Sequence, residues 1–342
     1  MNKKLSPLKF YNYLIGIIIF YFITSNIAVA KNYVKVATIG SHPGIVDKSK
    51  GMQHVVDQVI EFWRGELPLV LPDKPDLILL TEACDRPKGL TLEEQFEYYQ
   101  VRKDQVLDFF ASAAKENQCY IVFGTKREQE DGIWRNSSII LDRGGNLAGI
   151  YNKYFPTIGE MERGIKAGRE APVFQCDFGK VACAICFDLN FDELRDAYAS
   201  KKPDIILFSS MYHGGLVQAN WAYTCRSFFV SSVGANVSSE VRNPLGDVVA
   251  SSTNYYDHVV TTINLDSRLA HLDFNWGKLR ALKQKYGPLV TIYDPGRVGS
   301  VLITSEHDSL SAEDMVKEFE IELLDDYLNR SRSFRVKQLK QQ

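Results

Sequence analysis

Short apolar runs closed by polar turns alternate with stretches of helical period from Tyr33 to about Asp266. YVKVATIG, Tyr33–Gly40, reads as a buried strand. GMQHVVDQVIEFWRGEL then places Val55, Val56, Ile60 and Phe62 at helical spacing. PDLILLTE is a short apolar strand ending at Glu82. Thr91 and Glu94 form a capping box that opens one long helix to about Asn117. CYIVFGTKRE is the next strand, and WRNSSIILDRGG with LAGIYNKYF reads as a hairpin around Gly144-Gly145. PVFQCDFG and KVACAICFD pair around Gly179-Lys180, followed by a helix from Asp192 to about Ser200 and the strand DIILFSS. A helix around QANWAYTCRSFF leads into the strands of VSSVGANVSS and DVVASSTNYYDHVVTTINLD. Alternating strands and helices with added hairpins argue an α/β layered sandwich.

The two ends differ from this pattern. Lys3, Lys4 and Lys9 precede an uncharged stretch, Phe10–Ala30, that closes on the small-x-small site Ala28-Val29-Ala30. This is the layout of a secretory signal. An uncleaved single membrane anchor is the alternative, since about 20 apolar residues span a bilayer. Either way the folded part is expected outside the cytoplasm, periplasmic or secreted, with no membrane contact after cleavage. Beyond about Thr304 charge of both signs increases, and Met315, Phe319, Ile321, Leu324 and Tyr327 fall near helical spacing. The expected organisation is therefore residues 1–30 signal or anchor, 31–304 the folded domain, and 305–342 a helix and basic tail.

Composition narrows the function. Of 342 residues 45% are hydrophobic, which is enough for a large core. The net charge of −2 and the lack of a long basic run give nucleic acid no footprint. Six cysteines are too sparse for a disulfide scaffold. N-x-S/T triplets at Asn136, Asn236 and Asn329 fit chance occurrence.

Three strands end in a reactive residue: Glu82 after DLILLT, Lys153 after GIYN, Cys186 after VACAI. In layered α/β folds, sites collect at strand ends. A thiol needs a base, and its oxyanion needs a positive donor. CAIC also raises a redox pair or half a metal site. Cys183 and Cys186 are three apart on a strand and face opposite sides, which disfavours the first. No second CxxC or HxxxH supplies the remaining ligands of a zinc site, so no metal is expected.

In order and spacing, the segments PDLILLTE, YNKYFPTIGEMERGIKAG, FGKVACAICFDLNFDELRD and KPDIILFSSMYHGG resemble the nitrilase superfamily of carbon–nitrogen hydrolases. The resemblance implies a four-layer α-β-β-α sandwich, commonly a homodimer or larger, and a Glu-Lys-Cys triad on Glu82, Lys153 and Cys186. The family's additional glutamate falls on Glu160, with Glu162 as second candidate. It implies amide hydrolysis through a thioester on Cys186, without cofactor, with the Phe187 N–H and Lys153 meeting the oxyanion. Cys186 at its polar turn, next to a helix start, is expected to favour a thiolate.

Substrate is a small-molecule amide on this reading. True nitrilases carry Trp-Glu after the nucleophile, and this chain has Phe187-Asp188. N-carbamoyl amino acid hydrolases carry arginines where Asn190 and Phe191 stand. A carbamoyl-amide hydrolase and a non-catalytic binding module are the alternatives. Asp188 is expected to act as a turn or cap residue. Tyr212 and His213, in the loop SSMYHGG, are expected at the pocket mouth.

Overall fold

The computed structural model describes residues 31–234 and 236–341. The signal-like segment 1–30 lies outside the described residues.

Two six-stranded sheets form the centre. The first is ordered β12-β1-β2-β3-β4-β5, from β1 (Tyr33–Ile39), β2 (Leu77–Leu80), β3 (Tyr120–Glu128), β4 (Trp134–Leu141), β5 (Leu147–Asn152) and β12 (His258–Asn264). The second is ordered β11-β10-β9-β8-β7-β6, from β6 (Val173–Gln175), β7 (Lys180–Ile185), β8 (Ile205–Ser210), β9 (Phe228–Val233), β10 (Glu240–Arg242) and β11 (Val248–Ser251). In each, three parallel neighbours, β1–β3 and β7–β9, are extended by antiparallel strands. The two sheets thus repeat one topology. The parallel strands β2 and β7 end beside Glu82 and Cys186, and Lys153 follows the antiparallel β5.

Strand alternation builds the layers. Val36, Leu77, Leu79, Val122 and Ile140 face the second sheet in one core with Val181, Leu207 and Val230. Their neighbours Ile39, Ile78, Leu80, Ile121 and Ile139 face outward. There they meet Val55, Val59 and Trp63 of α1 (Met52–Glu66), Tyr98 of α2 (Leu92–Arg102) and Phe110 of α3 (Gln105–Asn117). The far face of the second sheet is covered by Leu194 and Tyr198 of α5 (Asp192–Lys201) and Trp221 of α6 (Leu216–Cys225). A short α4 (Ile158–Glu162) lies between β5 and β6. The Ser209 and Ser232 hydroxyls donate across the sheet interface to the Leu80 and Ile39 carbonyls, both at 2.8 Å. The arrangement is the expected α-β-β-α sandwich.

Three expectations change. The long helix from Thr91 is two helices, broken at Lys103, whose φ of 43° lies in the left-handed region. The helix around QANWAYTCRSFF ends at Cys225, and Phe228 already belongs to β9. The C-terminal helix is also two, α8 (Ala312–Glu318) and α9 (Leu324–Leu339). Met315 and Ile321 are buried against a third sheet, β13 (Ser267–His271), β15 (Ser300–Ser305) and β14 (Val290–Tyr293) in that order, and against α7 (Trp276–Tyr286). Among the described residues no helix is long and apolar enough to cross a membrane.

Candidate active site

Glu82, Lys153 and Cys186 each follow a strand, and Glu160 stands in α4. Glu82 stands two residues past β2, whose four residues are all buried. β3 passes close behind it at Gly124, where a Cβ would lie 2.7 Å from the Glu82 Cα. Only a residue without a side chain fits that approach. Lys153 follows β5 directly and Cys186 follows β7 directly. Glu160 is fixed by a capping box. Its N–H donates to Thr157 Oγ1 at 3.2 Å, and its Oε2 accepts the Thr157 N–H at 2.9 Å.

These side chains meet. Lys153 Nζ donates to Glu82 Oε1 and to Glu160 Oε2, both at 2.8 Å. Asn136 Nδ2, from β4, donates to Glu82 Oε1 and Glu160 Oε1, also both at 2.8 Å. Lys153, Glu82 and Glu160 are 1%, 6% and 8% exposed. Two carboxylates removed from water need such compensation. Burial works against the Lys153 charge, but Glu82 and then Glu160 outweigh it and hold the ammonium above its ordinary range. Burial likewise disfavours the Glu160 charge. Lys153 and hydrogen bonds from Lys153, Thr157 and Asn136 outweigh it and hold its carboxyl at about 2. Glu162, the second candidate, is exposed.

Cys186 opens a short 3-10 turn, Cys186–Asn190, with a left-handed φ of 47°. Its thiol is mostly buried beside Glu82 and Lys153. Burial first, and the Glu82 charge next, push it up to about 11; Lys153 and hydrogen bonds from the Met211 N–H and the Ser210 hydroxyl act the other way. The resting group is therefore a thiol rather than the thiolate expected from its turn, because desolvation exceeds what those donors return. Cys183 lies mid-strand, fully buried, in the core between the sheets. All six cysteines are free thiols.

Around this centre the other expected residues separate. Phe187 packs edge-to-face on Phe191, 5.2 Å between centroids, and Phe191 stacks on Phe155 at 3.7 Å. Asn190 donates to the Phe187 carbonyl at 3.0 Å. Neither Asn190 nor Phe191 brings a cation to the site. Tyr212 is half-buried beside the site; burial chiefly raises its hydroxyl, and the neighbouring Asn190 side chain acts the other way. His213 is tied elsewhere. Its Nε2 lies 3.3 Å from Glu240 Oε1, and its Nδ1 accepts the Gly215 N–H at 3.0 Å.

Three residues do more at the site than the sequence suggested. Asn136 read only as part of an N-x-S triplet, and it is fully buried between two carboxylates, which removes it as a glycan acceptor. Asp188 has the expected turn role, capping the 3-10 turn that opens at Cys186, and also ties that turn to the other sheet. It is fully buried and accepts the Tyr151 hydroxyl at 2.6 Å, the Phe155 N–H at 2.7 Å and the Ile185 N–H at 2.9 Å. Burial raises its carboxyl to about 6. Lys126 of β3 places its Nζ 3.8 Å from Glu160 Oε1. Alternation offers a signal for Asn136 and Lys126, which pair across β3 and β4 and so share a face.

A profile of carbon–nitrogen hydrolases matches residues 35–251. A probable nitrilase of Schizosaccharomyces pombe is 32% identical over 177 residues, 51% of this chain and 62% of that protein. The match thus spans less than two thirds of that relative. A human omega-amidase is 21% identical over 222 residues, 61% of this chain and 80% of that protein. Among solved structures, the C. elegans NitFhit protein superposes with a TM-score of 0.59 at 14% identity, over 85% of this chain and 98% of that one. An amidase from Nesterenkonia sp. gives 0.54 at 13%, over 69% and 93%. With its two facing sheets and its profile match across both, the chain belongs to the carbon–nitrogen hydrolase family of the nitrilase superfamily.

Proposed function

We propose that the protein is a cysteine-dependent hydrolase of a small non-peptide amide. The observation that carries this is Lys153, donating to two buried carboxylates beside a protonated thiol. A thiol with a pKa of about 11 attacks poorly unless a base takes its proton during attack. Glu82, already an acceptor from Lys153 and Asn136, is that base.

The reaction then runs in two balanced halves. Cys186 Sγ bonds to the carbonyl carbon of R–CO–NH2 while its proton passes to Glu82. Lys153 and the Phe187 N–H meet the oxyanion. Glu82 returns the proton to nitrogen, the C–N bond breaks, and ammonia leaves a thioester on Cys186. Water, deprotonated by Glu82, adds to the thioester, and R–COOH leaves with the thiol restored. Glu160, held as a carboxylate, fixes the Lys153 ammonium and is a positioning residue.

Amide is favoured over carbamoyl-amide because Asn190 and Phe191 are occupied in local contacts and carry no charge. Family membership and fold similarity to an amidase support the same class. A panel of amides, carbamoyl amino acids and nitriles, read by ammonia release from purified protein, tests it. Turnover of an amide is expected; ammonia from none of them overturns the reading. Export and self-association belong to the same proposal. The first rests on the signal-like residues 1–30 and the second on family resemblance, and sizing chromatography tests the latter.

A further inference from the structure

The turn that presents Glu82 is held in a strained shape. Ala83, directly after Glu82, has a φ of 47°, in the left-handed region. A residue with a Cβ adopts that region at a cost and keeps it only where its surroundings enforce it. Part of the enforcement comes from the backbone. The Cys84 N–H donates to the Gly124 carbonyl at 2.9 Å, and the Arg86 N–H donates to the Ala83 carbonyl at 3.0 Å. From α1, Trp63 Nε1 donates to the Cys84 carbonyl at 3.0 Å.

A second side chain arrives from the loop after β1. His42 is half-buried, and its Nε2 lies 3.1 Å from the Ala83 carbonyl, 41 residues away in sequence. Its Nδ1 lies 3.2 Å from the Pro43 carbonyl. Both neighbours only accept, so each contact needs a proton on the ring. Burial first holds the imidazole below its ordinary range; the Pro43 carbonyl opposes this, and the Arg86 charge adds to it. A neutral ring has one N–H and can serve one of the two carbonyls. Only the Ala83 contact joins separate segments of chain.

The loop that carries His42 is itself fixed. The Gly40 N–H donates to the Asp257 carbonyl at 2.7 Å, and a Cβ on Gly40 would lie 2.5 Å from the Val233 carbonyl of β9. Past His42, the Gly44 carbonyl accepts the Lys88 N–H at 3.0 Å. His42 therefore bridges from an anchored loop to the turn of the base.

We propose that His42 is a positioning residue for Glu82, its Nε2–H holding the Ala83 carbonyl so that the left-handed turn keeps the Glu82 carboxylate within proton-transfer reach of Cys186. A general base works only at hydrogen-bond distance from the proton it takes. The inference rests on the reading of Glu82 as the base. His42 acts through the backbone, outside the Glu-Lys-Cys group.

Three variants test it. His42→Leu deletes the donor, and His42→Gln returns an amide NH2 near the place of Nε2. For His42→Leu, kcat is expected to fall ~10–10²-fold, the scale of a misplacement near 1 Å, with KM for the amide little changed. His42→Gln is expected to recover most of that loss. Adding Ala83→Gly to His42→Leu is expected to recover part of it, because glycine takes a positive φ without strain. A His42→Leu protein that melts lower but keeps its kcat below its melting temperature overturns the proposal. So does an equal fall in kcat for the Leu and Gln variants. Long-range proton–nitrogen NMR of histidine-labelled protein reads the ring directly, with the His42 signal identified by its loss in His42→Gln. A proton on Nε2 is expected, and a ring protonated only on Nδ1 overturns the contact. Wild-type protein that releases ammonia from no amide overturns the hydrolase reading instead, while the spectrum still judges the contact.

Discussion

The Asp188 carboxylate accepts the Tyr151 hydroxyl at 2.6 Å, joining the turn that carries Cys186 to the strand that leads into Lys153. Nucleophile and ammonium come from different sheets, and this bond ties the two segments together. The Phe155 N–H, two residues past Lys153, adds a second tie on the other Asp188 oxygen at 2.7 Å.

Tyr151→Phe deletes one donor to a buried carboxyl and leaves two. The expected loss is about 1–3 kcal/mol of stability, read as a lower urea midpoint, with reduced turnover in protein that still folds. Asp188→Asn is expected to cost more. Its amide NH2 must face either the Phe155 N–H or the Tyr151 and Ile185 donors, a donor against donors. Urea melts of the two variants check the ranking, and a Tyr151→Phe melt that overlays the wild type contradicts it.

Glu160 makes an acid-side prediction. Its carboxyl is held at about 2 against an ordinary 4.5. A depressed carboxyl contributes stability above its unfolded value and loses it as pH falls from 4.5 toward 2. Melting temperature is therefore expected to drop on that acid limb. Glu160→Gln, which cannot titrate, should flatten the limb at the cost of a lower plateau. Parallel curves for the two proteins would show that the acid limb belongs to other groups.

Lys153→Ala removes the shared donor of both carboxylates. Turnover is expected to fall by at least ~10²-fold, the scale of a lost oxyanion donor. Stability should fall by about 3–5 kcal/mol, since two buried charges lose their partner. The kinetic comparison is made below the variant's own melting temperature. Near-normal turnover there removes Lys153 from the chemistry.

Much of this was legible in the chain. Glu82, Lys153 and Cys186 could be found because each breaks an apolar strand with a polar residue, and a strand boundary is a local signal. Glu160 came only through the family resemblance, although the Thr157 capping box that fixes it is a local sequence pattern. Asn136, Asp188 and Lys126 were hidden because their partners lie 54, 37 and 34 residues away, and only sheet packing brings them together. The break between α2 and α3 left no trace either. Lys103 adopts its left-handed φ without a glycine or proline to announce it. The third sheet escaped because Val290–Tyr293 is four residues long, too short for alternation to show.

The signal-like Met1–Ala30 makes a separate prediction. If Ala28-Val29-Ala30 is cleaved, N-terminal sequencing of exported protein starts at Lys31. A chain starting at Met1 in the membrane fraction favours the anchor.

The central claim is that the two cysteines of CAIC have different work: Cys186 attacks the substrate and Cys183 fills the core. Cys186→Ser is expected to fold normally and release no ammonia above background, because a carboxylate base cannot activate a hydroxyl as it does a thiol. Cys183→Ala should keep its activity and lose roughly 1 kcal/mol of packing. Ammonia release from the two purified variants, measured side by side on one amide, decides between them. Activity confined to Cys183→Ala is the predicted result; activity retained by Cys186→Ser, or lost in folded Cys183→Ala, contradicts it.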